Sequence, residues 1–134
     1  MEASKCADAF GILPGHSTET SDAEQAYTQS LLGGTETWVR LPKERWPKEW
    51  VERGMIDPVV PLLLALYGHP DSGGNWGQTY DSHVQSIGFQ PIADWRSCYW
   101  HPELRLFLVI YVDDFKLRAL RVICPRPGLF LAKV

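Results

Sequence analysis

The sequence has few cysteines, little net charge and no long apolar run, and each shortage excludes a class of protein. Cys6, Cys98 and Cys124 are an odd set of three, far apart and without repeated spacing. A disulfide scaffold is therefore excluded and a reducing compartment is predicted. Cys98 and His101 have the spacing of half a zinc site, but no second close pair of Cys or His exists to complete four ligands, so Cys98 reads as a buried thiol. Thirteen Lys and Arg against sixteen Asp and Glu leave a net charge of -3, which gives no overall attraction to phosphate backbones or anionic membranes. The longest apolar stretch, Val59 to Tyr67, is broken by Pro61 and falls far short of the ~20 residues of a membrane span. The first residues lack the basic-then-apolar order of a targeting peptide. These absences predict a soluble, intracellular protein with no membrane partner, in either nucleus or cytoplasm.

What is present suits a single domain. The 134 residues are 45% hydrophobic and 12% aromatic, enough to bury roughly two thirds of the surface that the unfolded chain exposes. Charge is polarised along the chain: residues 1–24 hold five acids (Glu2, Asp8, Glu19, Asp22, Glu24) and one base (Lys5). Residues 115–134 hold five bases (Lys116, Arg118, Arg121, Arg126, Lys133) and no acid. Such a tail can meet a polyanion, although bases mixed with leucines more often form a solvated or partner-facing strand.

Residues 1–20 show no persistent period and are expected to be a loosely structured lead-in. Ser21 and Glu24 have capping-box spacing, and Ala23, Ala26, Tyr27 and Leu31 then share a helical face, predicting a helix that ends at Gly33-Gly34. Thr37 to Leu41 reads as a short strand, and Pro47 opens a short helix through Val51. Val59 to Tyr67 suits a buried helix or a buried strand. Trp76, Tyr80, Val84 and Ile87 recur at helical spacing before Gly88, predicting a helix from Asn75 to Ile87 after a loop at 68–74. Ser97 to Trp100 and Leu104 to Val112 read as strands, and Phe115 to Ile123 can return antiparallel to the second of them. The expected class is α+β, with an antiparallel hairpin packed on helices.

Asp113 and Asp114 would sit at the bend of that hairpin, directly after an apolar strand. A solvated turn accounts for them. So does a pair of ligands for a divalent ion, whose preference for hard oxygen matches carboxylates and not the scattered Cys and His.

Tyr111-Val112-Asp113-Asp114 resembles the metal-binding hairpin of reverse transcriptases. Asp22-Ala23-Glu24-Gln25-Ala26-Tyr27 resembles the family's first catalytic motif, an acid followed five positions later by an aromatic. Trp38-Val39-Arg40-Leu41-Pro42 is similar to the segment that follows that motif. Ala65-Leu66-Tyr67-Gly68, Trp76 and Gly88-Phe89 are similar to the stretch that marks the copia type of retrotransposon reverse transcriptase. The parts occur in the family's order from Asp22 to about Leu117.

The resemblance implies residues 21–117 as a partial palm with some fingers structure, and residues 118–134 as a basic tail outside the pattern. It implies Asp22, Asp113 and Asp114 as catalytic carboxylates holding Mg2+ or Mn2+, Tyr27 as the ring that rejects a 2′-hydroxyl, and Tyr111 as a support beside the primer end. The implied partners are a primed RNA or DNA template and deoxynucleotides. Two departures stand out: His69-Pro70-Asp71 and Gly74 occupy places where the family has a Leu-Lys-Gln stretch and an Arg. Leu64 to Tyr67 with His69-Pro70-Asp71 also resembles the partner-binding loop of J-domain co-chaperones, but Val59 to Gly68 lacks that family's basic charge. The alternative from another class is a non-catalytic remnant that binds nucleic acid or a protein partner. Weak activity, or none, is expected of so short a chain.

Overall fold

Leu106 to Tyr111 carry β-branched, leucine and aromatic side chains without a polar break, a composition suited to a strand covered on both faces. In the computed structural model, which describes residues 2–121, they form the centre of a five-stranded antiparallel sheet. The elements in order are α1 (Glu2–Gly11), β1 (His16–Asp22), a 3-10 turn (Ala26–Gln29), β2 (Trp38–Arg40), a second 3-10 turn (Lys43–Arg45), α2 (Lys48–Glu52), β3 (Val59–Pro61), α3 (Ser72–Ser86), β4 (Gln90–Pro91), β5 (Cys98–His101), β6 (Leu106–Tyr111) and β7 (Asp114–Leu120). The main sheet has the order β1-β7-β6-β5-β4, and β2 with β3 makes a separate two-stranded ribbon.

Alternation along β6 and β7 divides the core between two helices. Leu106, Leu108, Ile110, Phe115, Leu117 and Ala119 pack with Trp76 and Val84 of α3. Phe107, Val109 and Cys98 pack on the opposite face with Ala7 of α1, flanked by Ala3, Phe10 and Trp100. Among the described residues no helix is long and apolar enough to cross a membrane.

The structure corrects three expectations. Residues 1–20 are not a loose lead-in, because they hold α1 and most of β1. Ala3, Ala7 and Phe10 do recur at helical spacing, but two of the three are small, so the stripe is faint in sequence. The helix expected from Ser21 is absent: Ser21 and Asp22 pair with Phe115 and Asp114 at the end of β1, and Gln25 turns left-handed at φ 54° before the 3-10 turn. Ladder hydrogen bonds to a strand distant in sequence outweigh the local capping preference. Val59 to Tyr67 is not buried; Val59, Leu63, Leu64, Leu66 and Tyr67 are exposed and only Ala65 is enclosed. Past Leu117, β7 continues through Arg118 to Leu120, within the strand expected from Phe115 to Ile123, and Arg118 is buried. The rest of the expected basic tail, from Val122 and including Cys124, lies outside the described residues.

Elsewhere the differences are small. α3 begins three residues before the expected Asn75, where the Ser72 hydroxyl donates to the Leu66 carbonyl at 2.7 Å and the Asn75 amide closes the first turn onto the Asp71 carbonyl at 3.1 Å. The β6–β7 hairpin forms as expected, but its two-residue loop is Val112 and Asp113, so that Asp114 opens β7 and does not share the bend.

Candidate functional site

The hairpin tip is held from two sides. Trp76 is 1% exposed, and its indole N–H donates to the Val112 carbonyl at 2.6 Å, tying the loop to α3. Val112 sits at φ 56°, a conformation that costs a β-branched residue steric strain. From the other side the Ala23 amide donates to the Asp113 carbonyl at 2.8 Å, so the end of β1 is fastened to the same loop.

This stitching brings the sequence-predicted carboxylates to one place. Asp22 is the register partner of Asp114 across β1 and β7, and Tyr111 is the partner of Asp114 across β6 and β7. The three residues form one row across three strands, and by alternation that row belongs to the α1 face of the sheet. Asp22, Tyr111 and Asp114 are exposed, and Asp113 is half-buried in the loop. Directly opposed residues have Cβ atoms about 4.5–5.5 Å apart. The donor set is all oxygen, which fits a hard divalent cation. Among the described residues, however, no group of three or more His, Cys, Asp or Glu side chains is gathered so as to hold a metal ion. The backbone puts the acids side by side without closing the carboxylates on a common point.

Tyr27 lies on the other side of the strand ends. It follows Ala26, which is buried against the α3 core, and its ring is 4.4 Å from that of Tyr67. Tyr27, Gly73, Trp76, Tyr80, Ser97, Ile110, Tyr111 and Val112 enclose a cavity of about 240 Å³ next to the hairpin loop. Two residues named from sequence, Tyr27 and Tyr111, thus border one cavity.

Several polar side chains that hold this region are silent in the sequence. The Asn75 carboxamide accepts from the Gly33 amide at 3.0 Å and donates to the Gly33 carbonyl at 3.2 Å. Ser30 donates to the Thr79 hydroxyl at 2.8 Å, and Asp71 accepts from the Thr35 amide at 3.3 Å. These bonds fasten the segment after Tyr27 to α3. His69 is engaged with the Thr37 hydroxyl at 2.8 Å and with the Asp71 amide at 3.2 Å. The His-Pro-Asp turn therefore braces the loop internally. His101 is likewise structural: it is buried, its ring packs edge-on against Phe89 at 5.2 Å, and its Nδ1 accepts from the Leu104 amide at 3.2 Å.

The bases divide by position. Lys116 is half-buried and Arg121 exposed, while the Arg118 guanidinium lies beneath α1 with an ion pair to Asp8 at 2.7 Å. The Arg118 hydrogen bond holds the Asp8 carboxyl below the usual carboxylate range. Burial raises the Cys98 thiol and, together with Asp81, the Tyr99 phenol.

The chain is 26% identical over 91 residues to the Transposon Ty1-DR4 Gag-Pol polyprotein of Saccharomyces cerevisiae, covering 67% of this chain and 6% of that polyprotein. The Transposon TyH3 Gag-Pol polyprotein of Saccharomyces cerevisiae gives 26% identity over the same length, at 5% of the polyprotein, and the Transposon Ty1-BL Gag-Pol polyprotein gives 25%. The chain is similar to Ty1 Gag-Pol polyproteins. It spans only 5–6% of the length of these curated relatives. No family profile matches the chain. No solved structure matches it.

Proposed function

We propose that this chain is a partial palm of a copia-type retrotransposon reverse transcriptase, built for RNA-templated addition of deoxynucleotides. The observation that carries the reading is the pairing of β1 with β7, which sets Asp22 opposite Asp114 and bonds Ala23 to the Asp113 carbonyl. Two motifs far apart in sequence thereby meet at one sheet end, beside a cavity bordered by Tyr27 and Tyr111. Similarity to Ty1 Gag-Pol polyproteins supports a retrotransposon origin for the fragment.

In this reading Asp22, Asp113 and Asp114 would have to turn their carboxylates onto a common point to hold Mg2+ or Mn2+, which would supply charge neutralisation and Lewis acidity at the reacting phosphate. The protein's own contribution is alignment. The primer 3′-hydroxyl loses its proton to water as its oxygen bonds to the α-phosphorus of a deoxynucleotide, the bond to the bridging oxygen breaks, and pyrophosphate leaves with that electron pair. The resemblance would make Tyr27 the ring that rejects a 2′-hydroxyl and Tyr111 a support beside the primer end, and both border the cavity at the hairpin loop.

The test is primer extension at high protein concentration on a primed RNA template, with Mg2+ or Mn2+ and Asp113→Asn as control. We expect weak extension that Asp113→Asn abolishes. Extension that survives this substitution refutes the reading. A second reading, a non-catalytic remnant that binds nucleic acid or a partner, is favoured by the failure of the carboxylate side chains to converge. Tight, metal-independent binding of the primed template with no extension would select it.

A further inference from the structure

We propose that α1 is a displaceable cover over Lys116 and Arg118 of β7, and that a nucleic-acid phosphate backbone takes its place on these two bases. This rests on the nucleic-acid reading above, but it concerns a contact that polymerase chemistry does not require. The face is defined by register: Asp22 and Asp114 at the sheet end, Lys116 beside Thr20 and Val109 in the next row, Arg118 beside Thr18 and Phe107 in the row after. A polyanion lying along β7 would meet two bases and then the carboxylate end.

α1 now occupies that surface with a charge of the same sign as a phosphate. Asp8, whose side chain is 56% exposed, pairs at 2.7 Å with Arg118, whose side chain is only 4% exposed. The rest of the guanidinium is poorly used: one terminal nitrogen donates to the Leu117 carbonyl at 3.3 Å, and Nε is buried without a hydrogen-bond partner. A guanidinium offers five donors in a fork that matches phosphate oxygens. A phosphate could therefore satisfy more of Arg118 than Asp8 does.

The helix itself is lightly held. It has 10 residues, below the ~12–15 at which an isolated helix becomes even marginally stable. Its packing side is mostly Ala3, Ala7 and Phe10. It joins β1 through residues 12–15, where Ile12 is 84% exposed and Gly15 is left-handed at φ 81°. Such a connection allows the helix to swing away while β1 keeps its ladder with β7.

Cys98 reports the position of the cover, because it is 1% exposed on the α1 face in the cluster that contains Ala7. The experiment uses the full chain with Cys6→Ser and Cys124→Ser, so that Cys98 is the remaining thiol, and a maleimide reagent with and without a primed RNA–DNA duplex at low salt. We expect the duplex to accelerate Cys98 labelling on the order of tenfold, as the open form gains population. Asp8→Asn and Arg118→Met should both accelerate labelling without nucleic acid. Only Asp8→Asn should tighten duplex binding, since it frees the base that Arg118→Met removes. Bound duplex that leaves Cys98 as protected as before, or equal effects of the two variants on binding, would overturn the proposal. Extension that persists while Cys98 stays protected refutes the cover alone. A cover that opens in a protein whose extension survives Asp113→Asn refutes only the polymerase reading.

Discussion

Asp22 and Asp114 face each other as a cross-strand pair of like charge, and replacing one of them is the most direct probe of the site. At about 5 Å two unit charges repel by roughly 1 kcal/mol in water and by about 3 kcal/mol at an effective dielectric near 20. Both residues are exposed, so the aqueous limit applies. Like charges directly opposite across strands destabilise by about 0.2–1 kcal/mol, and we expect Asp22→Asn or Asp114→Asn to raise the stability of the metal-free protein by up to about 1 kcal/mol. For a domain of this size that is a melting-temperature increase of about 2–5 °C. The assay is thermal unfolding by circular dichroism at low ionic strength, with and without Mg2+ or Mn2+, against NaCl at matched ionic strength. Sodium chloride should narrow the gap between wild type and variant by screening.

A divalent ion that binds only the folded state should do more, adding about 2.7 kcal/mol at 100 times its dissociation constant. Each Asn substitution should blunt that response, and the proposed sharing of one ion by Asp22 and Asp113 requires Asp22→Asn combined with Asp113→Asn to be non-additive. Additive effects with no metal-specific shift would refute the reasoning. The acids would then be neighbours by backbone accident, each serving only its own turn.

Two further predictions follow from the same scaffold. Val112→Gly should relieve the left-handed strain at φ 56° and raise stability by about 1 kcal/mol, read from urea midpoints; a loss would mean that Val112 packing outweighs the strain. The Asp8 carboxyl is held below its ordinary value by Arg118, so its contribution is fully present above the unfolded value of about 3.9 and is lost as the pH falls through the lower folded value. The stability difference between wild type and Asp8→Asn should therefore be constant near neutrality and vanish in strong acid, and a difference that persists there would place the interaction elsewhere.

How far the sequence could be read depended on where each element gets its stability. β6 was legible because burial on both faces demands an unbroken apolar run, and α3 because Trp76, Tyr80 and Val84 mark one helical face. β1 was not legible. Its residues are His-Ser-Thr-Glu-Thr-Ser-Asp, and what holds them in a strand is the backbone ladder to β7, which leaves no side-chain period. The same ladder decided the site. Asp113 and Asp114 announce themselves at the end of an apolar strand, whereas Asp22 sits in a local capping pattern that points to a helix. Only the family-like order of motifs linked Asp22 to the hairpin. The supports of the site, Trp76 to the Val112 carbonyl and Asn75 to Gly33, are side-chain bonds to backbone, and such bonds have no sequence spacing to search for.

The charge polarity of the chain shows the same limit in its sharpest form. Phe115, Leu117 and Ala119 alternate with Lys116 and Arg118, and that period of two does establish that the bases share a face and the apolar residues share the other. It cannot say what covers the basic face. A solvated strand or a polyanion-binding surface is the natural reading when the tail is viewed alone. The cover instead comes from Asp8, 110 residues earlier in the chain than Arg118. Acidic α1 and the bases of β7, which look like parts of two independent tails, are brought together by the β1–β7 pairing, which carries α1 across the sheet. A buried cation needs a partner, and the early acidic residues contain one. The two ends of the sequence therefore had to be read against each other, as a single ion pair awaiting a strand register, before either could be assigned to solvent.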